Sequence, residues 1–144
     1  MNPFSTSPDL ASAGLLVLRL ILGGIMFAHG AQKVLGWFGG YGLKGTAGYF
    51  KNVLRIPAPL FYVAAFTEFL GGIAIAFGVF SRVAALGVVI LMTVAIAKAH
   101  LKNGFFMNWG AEAGKGEGYE FNLALLAMAV YLLLAGPGQL AILS

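Results

Sequence analysis

Hydrophobic residues gather in four long runs, and the polar positions inside them recur at helical spacing. The runs extend from about Ala11 to Leu35, Ala58 to Phe80, Val83 to Leu101 and Phe121 to Leu143. Each reaches, or nearly reaches, the roughly 20 residues that carry an α-helix through a bilayer. The pattern predicts an all-α membrane protein, a four-transmembrane-helix bundle filling residues 1–144 as one integral membrane domain. Between the first two runs, Ala47, Phe50, Val53 and Leu54 recur opposite Lys44, Lys51 and Asn52. That periodicity predicts a short interfacial helix, ended by Pro57 and Pro59. Aromatic and glycine residues mix from Gly36 to Gly42 and again from Asn103 to Gly110. Amphipathic rings favour the membrane boundary, so both stretches are expected there, as anchors or as lids over the bundle.

Composition agrees with a lipid setting. At 60% apolar and 10% charged, the chain has too little polar surface to coat a soluble domain. Its 21 glycines suit helices that approach closely in lipid. The absence of cysteine excludes a thiol relay, a disulfide exchanger, a covalently attached c-type haem and a cysteine-bound iron–sulfur cluster. Met1 to Leu10 contains no Lys or Arg, and the first run is longer than the apolar core of a signal peptide, which predicts a retained span. The net charge of +4 is scattered singly, so nucleic acid is not an expected partner.

Charge also orients the bundle. Lys33, Lys44, Lys51 and Arg55 surround the first long connection, and Lys98, Lys102 and Lys115 surround the second, whereas the opposite side offers Arg82. The positive-inside rule then places both connections in the cytoplasm, with both termini and the short turn near Ser81 outside.

The ionisable residues within the runs carry the candidate chemistry. Arg19, Gly23, Met26, Gly30 and Lys33 form one stripe of the first helix, with His29 on the same side as Lys33. In the second run, Ala64, Ala65, Glu68, Gly71 and Gly72 make a small-residue face with a single carboxyl group, expected to point into the bundle. Thr93, Ala97 and His100 align in the third. Counted from the outer ends, Arg19 lies roughly 12 Å deep, Glu68 roughly 18 Å, and both histidines roughly 27 Å. An unpaired charge at such depth costs about 2.5–3.5 kcal/mol or more. Glu68 is therefore expected to pair with Arg19 or His29, or to be protonated, either as a structural ion pair or as part of a functional site.

Two histidines at one level raise the question of a b-type haem, but nothing in the spacing demands one, and no metal centre is expected from His29, His100 and Glu68. A quinone site asks less of the geometry. It needs an apolar cleft, a hydrogen-bond donor to a carbonyl and a protonatable group.

Leu18-Arg19-Leu20, His29-Gly30-Ala31-Gln32-Lys33, Gly36-Trp37-Phe38-Gly39-Gly40, Pro57-Ala58-Pro59, Glu68-Phe69-Leu70-Gly71-Gly72 and Asn103-Gly104-Phe105-Phe106 together resemble the DoxX family of small bacterial inner-membrane proteins. The resemblance runs from about Leu16 to Gly138 and implies four membrane helices. It also implies a link to redox chemistry, since the family takes its name from the membrane subunit of a thiosulfate:quinone oxidoreductase. Carried over residue by residue, its motifs select Arg19, His29, Gln32, Lys33, Glu68 and Gly72. The leading expectation is a redox-associated subunit that holds a quinone in the cytoplasmic half of the bundle. Glu68 and His29 would handle protons, while Arg19, Gln32, Lys33, Trp37 and Phe38 would bind the ligand. Electrons would come from a separate soluble or membrane redox partner, and association with a second copy is a further option. The alternatives are a scaffold for soluble redox enzymes or a small-solute permease; against the latter, no inverted repeat is evident.

Overall fold

A computed structural model describes residues 8–143 and is all-helical. Met1 to Ser7, most of the stretch read as free of basic residues, lie outside the described residues, as does Ser144. Five helices follow in order: α1 (Pro8–Val34), α2 (Gly42–Asn52), α3 (Ala58–Phe77), α4 (Ser81–Ala95) and α5 (Glu120–Ala135). α4 continues through a π-helical turn at Ile96–His100 and a 3₁₀ turn at Leu101–Asn103. Among the described residues three stretches are long and apolar enough to cross a membrane: Leu10–Val34, Ala58–Phe77 and Ser81–Asn103.

α1, α3, α4 and α5 pack in a ring in that order, with α5 returning to α1. Leu22, Met26, Ile75, Val88, Met92, Leu125 and Leu132 fill the centre. Large apolar residues such as Val63, Val83, Ile90 and Leu134 face outward. An outward apolar face is what helices present to lipid. Two ends result. The first holds the start of α1, the α3–α4 turn and the end of α5. The second, called here the loop end, holds both long connections.

The α1–α3 seam is the tightest contact. A Cβ on Gly23 would sit 2.6 Å from the Gly72 carbonyl oxygen and 2.7 Å from the Ala76 nitrogen. One on Gly30 would strike the backbone of Phe69, and one on Gly72 the backbone of Phe27. Glycine at these positions lets the two backbones touch, which fixes their register.

The short helix expected after the first run is present as α2, which sets Phe50 against Phe61 at 4.9 Å between ring centroids. The fourth run departs from expectation. Its helix stops at Ala135 instead of continuing to Leu143, because Gly136 (φ 82°), Pro137 and Gly138 (φ 79°) cannot extend it. The remaining residues turn back against the start of α1 and the end of α3. The amides of Ile142 and Leu143 donate to Phe77 O and Gly78 O at 3.1 and 3.0 Å, and that of Gln139 to Ser12 Oγ at 3.1 Å. Arg82 Nη1 caps the end of α5, donating to Leu133 O and Leu134 O at 2.7 and 3.0 Å.

Candidate functional site

Glu68 is buried on α3, and its carboxylate pairs with Lys33 Nζ of α1. This corrects the expectation that Arg19 or His29 would be its partner. The seam explains the choice. Gly30 against Phe69 brings α1 beside Glu68, and Lys33 follows one turn later. Helical side chains lean toward the N-terminus of their helix, so the Lys33 stem runs back along α1 to the carboxylate. The pair keeps slight access to solvent, with side chains 18% and 10% exposed.

His29 lies one turn before Lys33 on the same side of α1. The ring is exposed and faces the start of α5, 6.3 Å from the Phe121 ring. Gln32, Trp37 and Phe38 belong to the turn that leaves α1. Gln32 Nε2 donates to Phe38 O at 3.2 Å, and Gly40 packs so closely on Gln32 that no Cβ would fit. Trp37 and Phe38 meet edge to face, and both rings are exposed. The anticipated roof of aromatics is thus an outward-facing rim, and Trp109, 82% exposed, extends it with its indole nitrogen donating to Glu120 Oε1 at 2.8 Å.

Arg19 does not join this group. It is 11 residues from the start of α1, and 14 residues, or roughly 21 Å, separate it from Lys33 along the helix. Its guanidinium is 1% exposed and donates from Nη1 to Pro137 O at 3.0 Å and from Nη2 to Leu140 O at 2.9 Å. A Cβ on Gly78 would collide with Nη1. Among the described residues no carboxylate compensates this cation. Its polar contacts are the two carbonyls, and its Nε is buried without a hydrogen-bond partner among the described residues.

His100 is likewise held apart from the pair. Its Nδ1 lies 3.0 Å from Glu117 O and must be the donor, since a carbonyl only accepts. Together with Asn103, which donates to the same carbonyl at 2.9 Å, it secures the second long connection. No group of three His, Cys, Asp or Glu side chains placed to hold a metal occurs among the described residues.

Two apolar grooves open on the bundle surface. One, on α3 and α4, is lined by Val63, Phe66, Thr67, Leu70, Val83 and Gly87; the other follows the α1–α3 seam past Leu20, Gly24, Phe27, Ile73 and Phe77. Glu68, His29 and Lys33 line neither, so the cleft expected to converge on them is not one of these grooves. Sequence reasoning also missed Asn122, buried on α5 with Nδ2 3.6 Å from Met92 Sδ. An amide in the first turn of an apolar helix was the available signal. The carbonyls that hold Arg19 were foreshadowed by Gly136-Pro137-Gly138, a helix breaker inside the fourth run.

The chain resembles a Bacillus subtilis (strain 168) protein named "Putative oxidoreductase CatD", with 33% identity over 131 residues, 90% of this chain and 84% of that protein. No solved structure matches it. The DoxX family profile matches residues 14–101, a stretch that includes the α1–α3 seam and the Lys33–Glu68 pair. With most of its length matched by the profile and 84% of the relative covered, the chain belongs to the DoxX family.

Proposed function

We propose that this protein is a multi-pass inner-membrane component of a redox system, and that it takes a quinone-like molecule beside the Lys33–Glu68 pair. The observation that carries the reading is the pair itself. It is a carboxylate and an ammonium held together inside the α1–α3 seam and slightly exposed, with His29 one turn before Lys33 on α1. Ionisable groups at such depth are costly and are kept chiefly where ions, protons or ligands are handled. The relative's printed name supports a redox role.

In this reading α5 completes a fourth crossing. Sixteen residues span about 24 Å, short of the roughly 30 Å hydrocarbon core. The returning segment 136–143 fills the remainder. The loop end faces the cytoplasm, both termini face the periplasm, and α2 lies in the membrane surface.

Reduction of a quinone to a quinol consumes two electrons and two protons. The electrons come from a separate redox protein. His29 donates a hydrogen bond to one quinone carbonyl and delivers one of the two protons there, the Lys33–Glu68 pair restores that proton to His29 from the cytoplasmic side, and the second proton reaches the other carbonyl from cytoplasmic water. The groove along the α1–α3 seam offers an apolar bed for an isoprenoid tail. Arg19, far along α1, takes no part.

A soluble short-chain quinone should raise the Tm of the wild type in detergent through linkage, by RT ln(1 + [L]/Kd) in stability. His29→Ala and Glu68→Gln should lose most of that shift. An equal shift in all three proteins, or none in the wild type, overturns the reading and leaves a scaffold for soluble redox enzymes. That second reading is favoured by the exposed rim of Trp37, Phe38, Phe106 and Trp109 at the loop end.

A further inference from the structure

α2 combines an oddly poor helix sequence with a one-signed surface. Its eleven residues, Gly42 to Asn52, include three glycines and no side-chain N-cap. Each interior glycine costs about 1 kcal/mol relative to alanine. Gly45 has a packing reason, since a Cβ there would lie 2.8 Å from Tyr41 Cβ. Gly48 has none: it has no positive φ, and beyond the helix's own backbone nothing lies within 4 Å of where its Cβ would be.

The neighbours of Gly48 suggest what that open space serves. Lys44 and Lys51 are seven residues apart, which puts them on one face about 10 Å from each other with Gly48 between them. Both are exposed, and neither forms an ion pair among the described residues. The opposite face of α2, with Phe50 against Phe61, is turned to the protein. No acidic residue occurs anywhere between Lys33 and Glu68, and Arg55 adds an exposed cation just beyond the helix. Tyr41, 86% exposed, and Tyr49, 51% exposed, flank the patch with the amphipathic rings suited to headgroup depth.

We propose that Lys44, Gly48 and Lys51 form a seat for the phosphate of an anionic phospholipid in the leaflet at the loop end. The lysines supply charge from either side, and the missing side chain lets the phosphate approach the helix surface between them. The seat rests on the placement of α2 in the membrane surface given above.

The full chain is reconstituted in vesicles of phosphatidylcholine with phosphatidylglycerol, then extracted gently and its retained lipid measured by native mass spectrometry. The wild type should retain phosphatidylglycerol in preference to phosphatidylcholine. Lys44→Gln with Lys51→Gln should reduce that preference by about fivefold per lysine, the effect of one basic side chain at an anionic surface. Gly48→Ala should reduce it too, with helix content equal or higher, whereas Lys98→Gln with Lys102→Gln should leave it unchanged. Equal loss in both lysine pairs means diffuse attraction and overturns the seat, as does an unaltered preference in Gly48→Ala or no preference in the wild type. Displacement of the lipid by millimolar inorganic phosphate would make this a free-anion site and overturn the lipid assignment.

A spin label on Tyr49→Cys, in a chain with no other cysteine, separates the two levels of the claim. A label in bulk water removes the placement of α2 and the seat with it. A label at the interface, with no lipid preference, overturns the seat alone.

Discussion

Lys33 and Glu68 meet across a seam in which the backbones of α1 and α3 touch through Gly23, Gly30 and Gly72. The close approach and the ion pair depend on each other. Without glycine the helices would stand further apart and the Lys33 stem would not reach the carboxylate. Without Lys33 the small-residue face of α3 would bury an unpaired charge. Arg19, on the same stripe of α1, has a separate task at the far end, where it holds the returning chain.

Removing one member of the pair should therefore cost more than removing both. Glu68→Gln strands a cation, and breaking a buried pair typically costs about 3–5 kcal/mol. The value here should fall at the lower end, because the Lys33 side chain is 18% exposed. Lys33→Gln combined with Glu68→Gln should lose less than Glu68→Gln alone in denaturant unfolding in detergent. Arg19→Gln and Glu68→Gln should instead be additive. Strong coupling between Arg19 and Glu68 would contradict the geometry described above.

Glycines of the seam should be intolerant, and those outside it permissive. Gly30→Ala and Gly72→Ala place a methyl against backbone atoms that cannot yield, and should lower stability by about 1–3 kcal/mol. Gly14→Ala and Gly24→Ala meet nothing within 4 Å and should be neutral or stabilising by up to about 1 kcal/mol. Thermal unfolding of the four variants side by side gives the answer. Equal effects would show that backbone contact does not set the seam.

Much of this was legible in the sequence, and the failures have identifiable causes. Helical periodicity located the stripe of Arg19, Gly23, Gly30 and Lys33 and the small face around Glu68, because both follow directly from 3.6 residues per turn. The partner of Glu68 was not legible. Depth counted from the outer ends treats helices as aligned, whereas Gly78, just past the end of α3, lies against Arg19, 11 residues into α1, and it ignores the lean of Lys33 back along its own helix. The fourth run misled through composition. Leu140, Ile142 and Leu143 are as apolar as a span, but the Gly136-Pro137-Gly138 break decides their conformation.

The charge asymmetry predicts topology. A reporter fused after Ser144 should read as periplasmic, and a cysteine at Ala113, exposed in the second long connection, should react only with reagents that reach the cytoplasm. The cysteine-free chain makes the second measurement clean. Labelling of Ala113→Cys by an impermeant reagent in intact cells would invert the orientation and move the Lys33–Glu68 pair to the outer half.

The returning segment 136–143 should be part of the folded unit, with Arg19 as its clamp. Three backbone amides of the segment are bonded to α1, α3 and the α3–α4 turn, and two of its carbonyls accept from Arg19. Hydrogen bonds to a charged group contribute about 1.5–3 kcal/mol each. A chain ending at Ala135 should accordingly lose more stability than full-length Arg19→Gln, since truncation leaves the guanidinium buried with no acceptor while the substitution removes the charge itself. The order of effects has a sharper consequence. Introducing Arg19→Gln into the truncated chain should restore part of the lost stability, a sign opposite to its effect in the full-length protein. Unfolding midpoints of the four proteins test this directly. If Arg19→Gln is destabilising by the same amount in both backgrounds, the arginine and the segment act independently and the clamp is wrong.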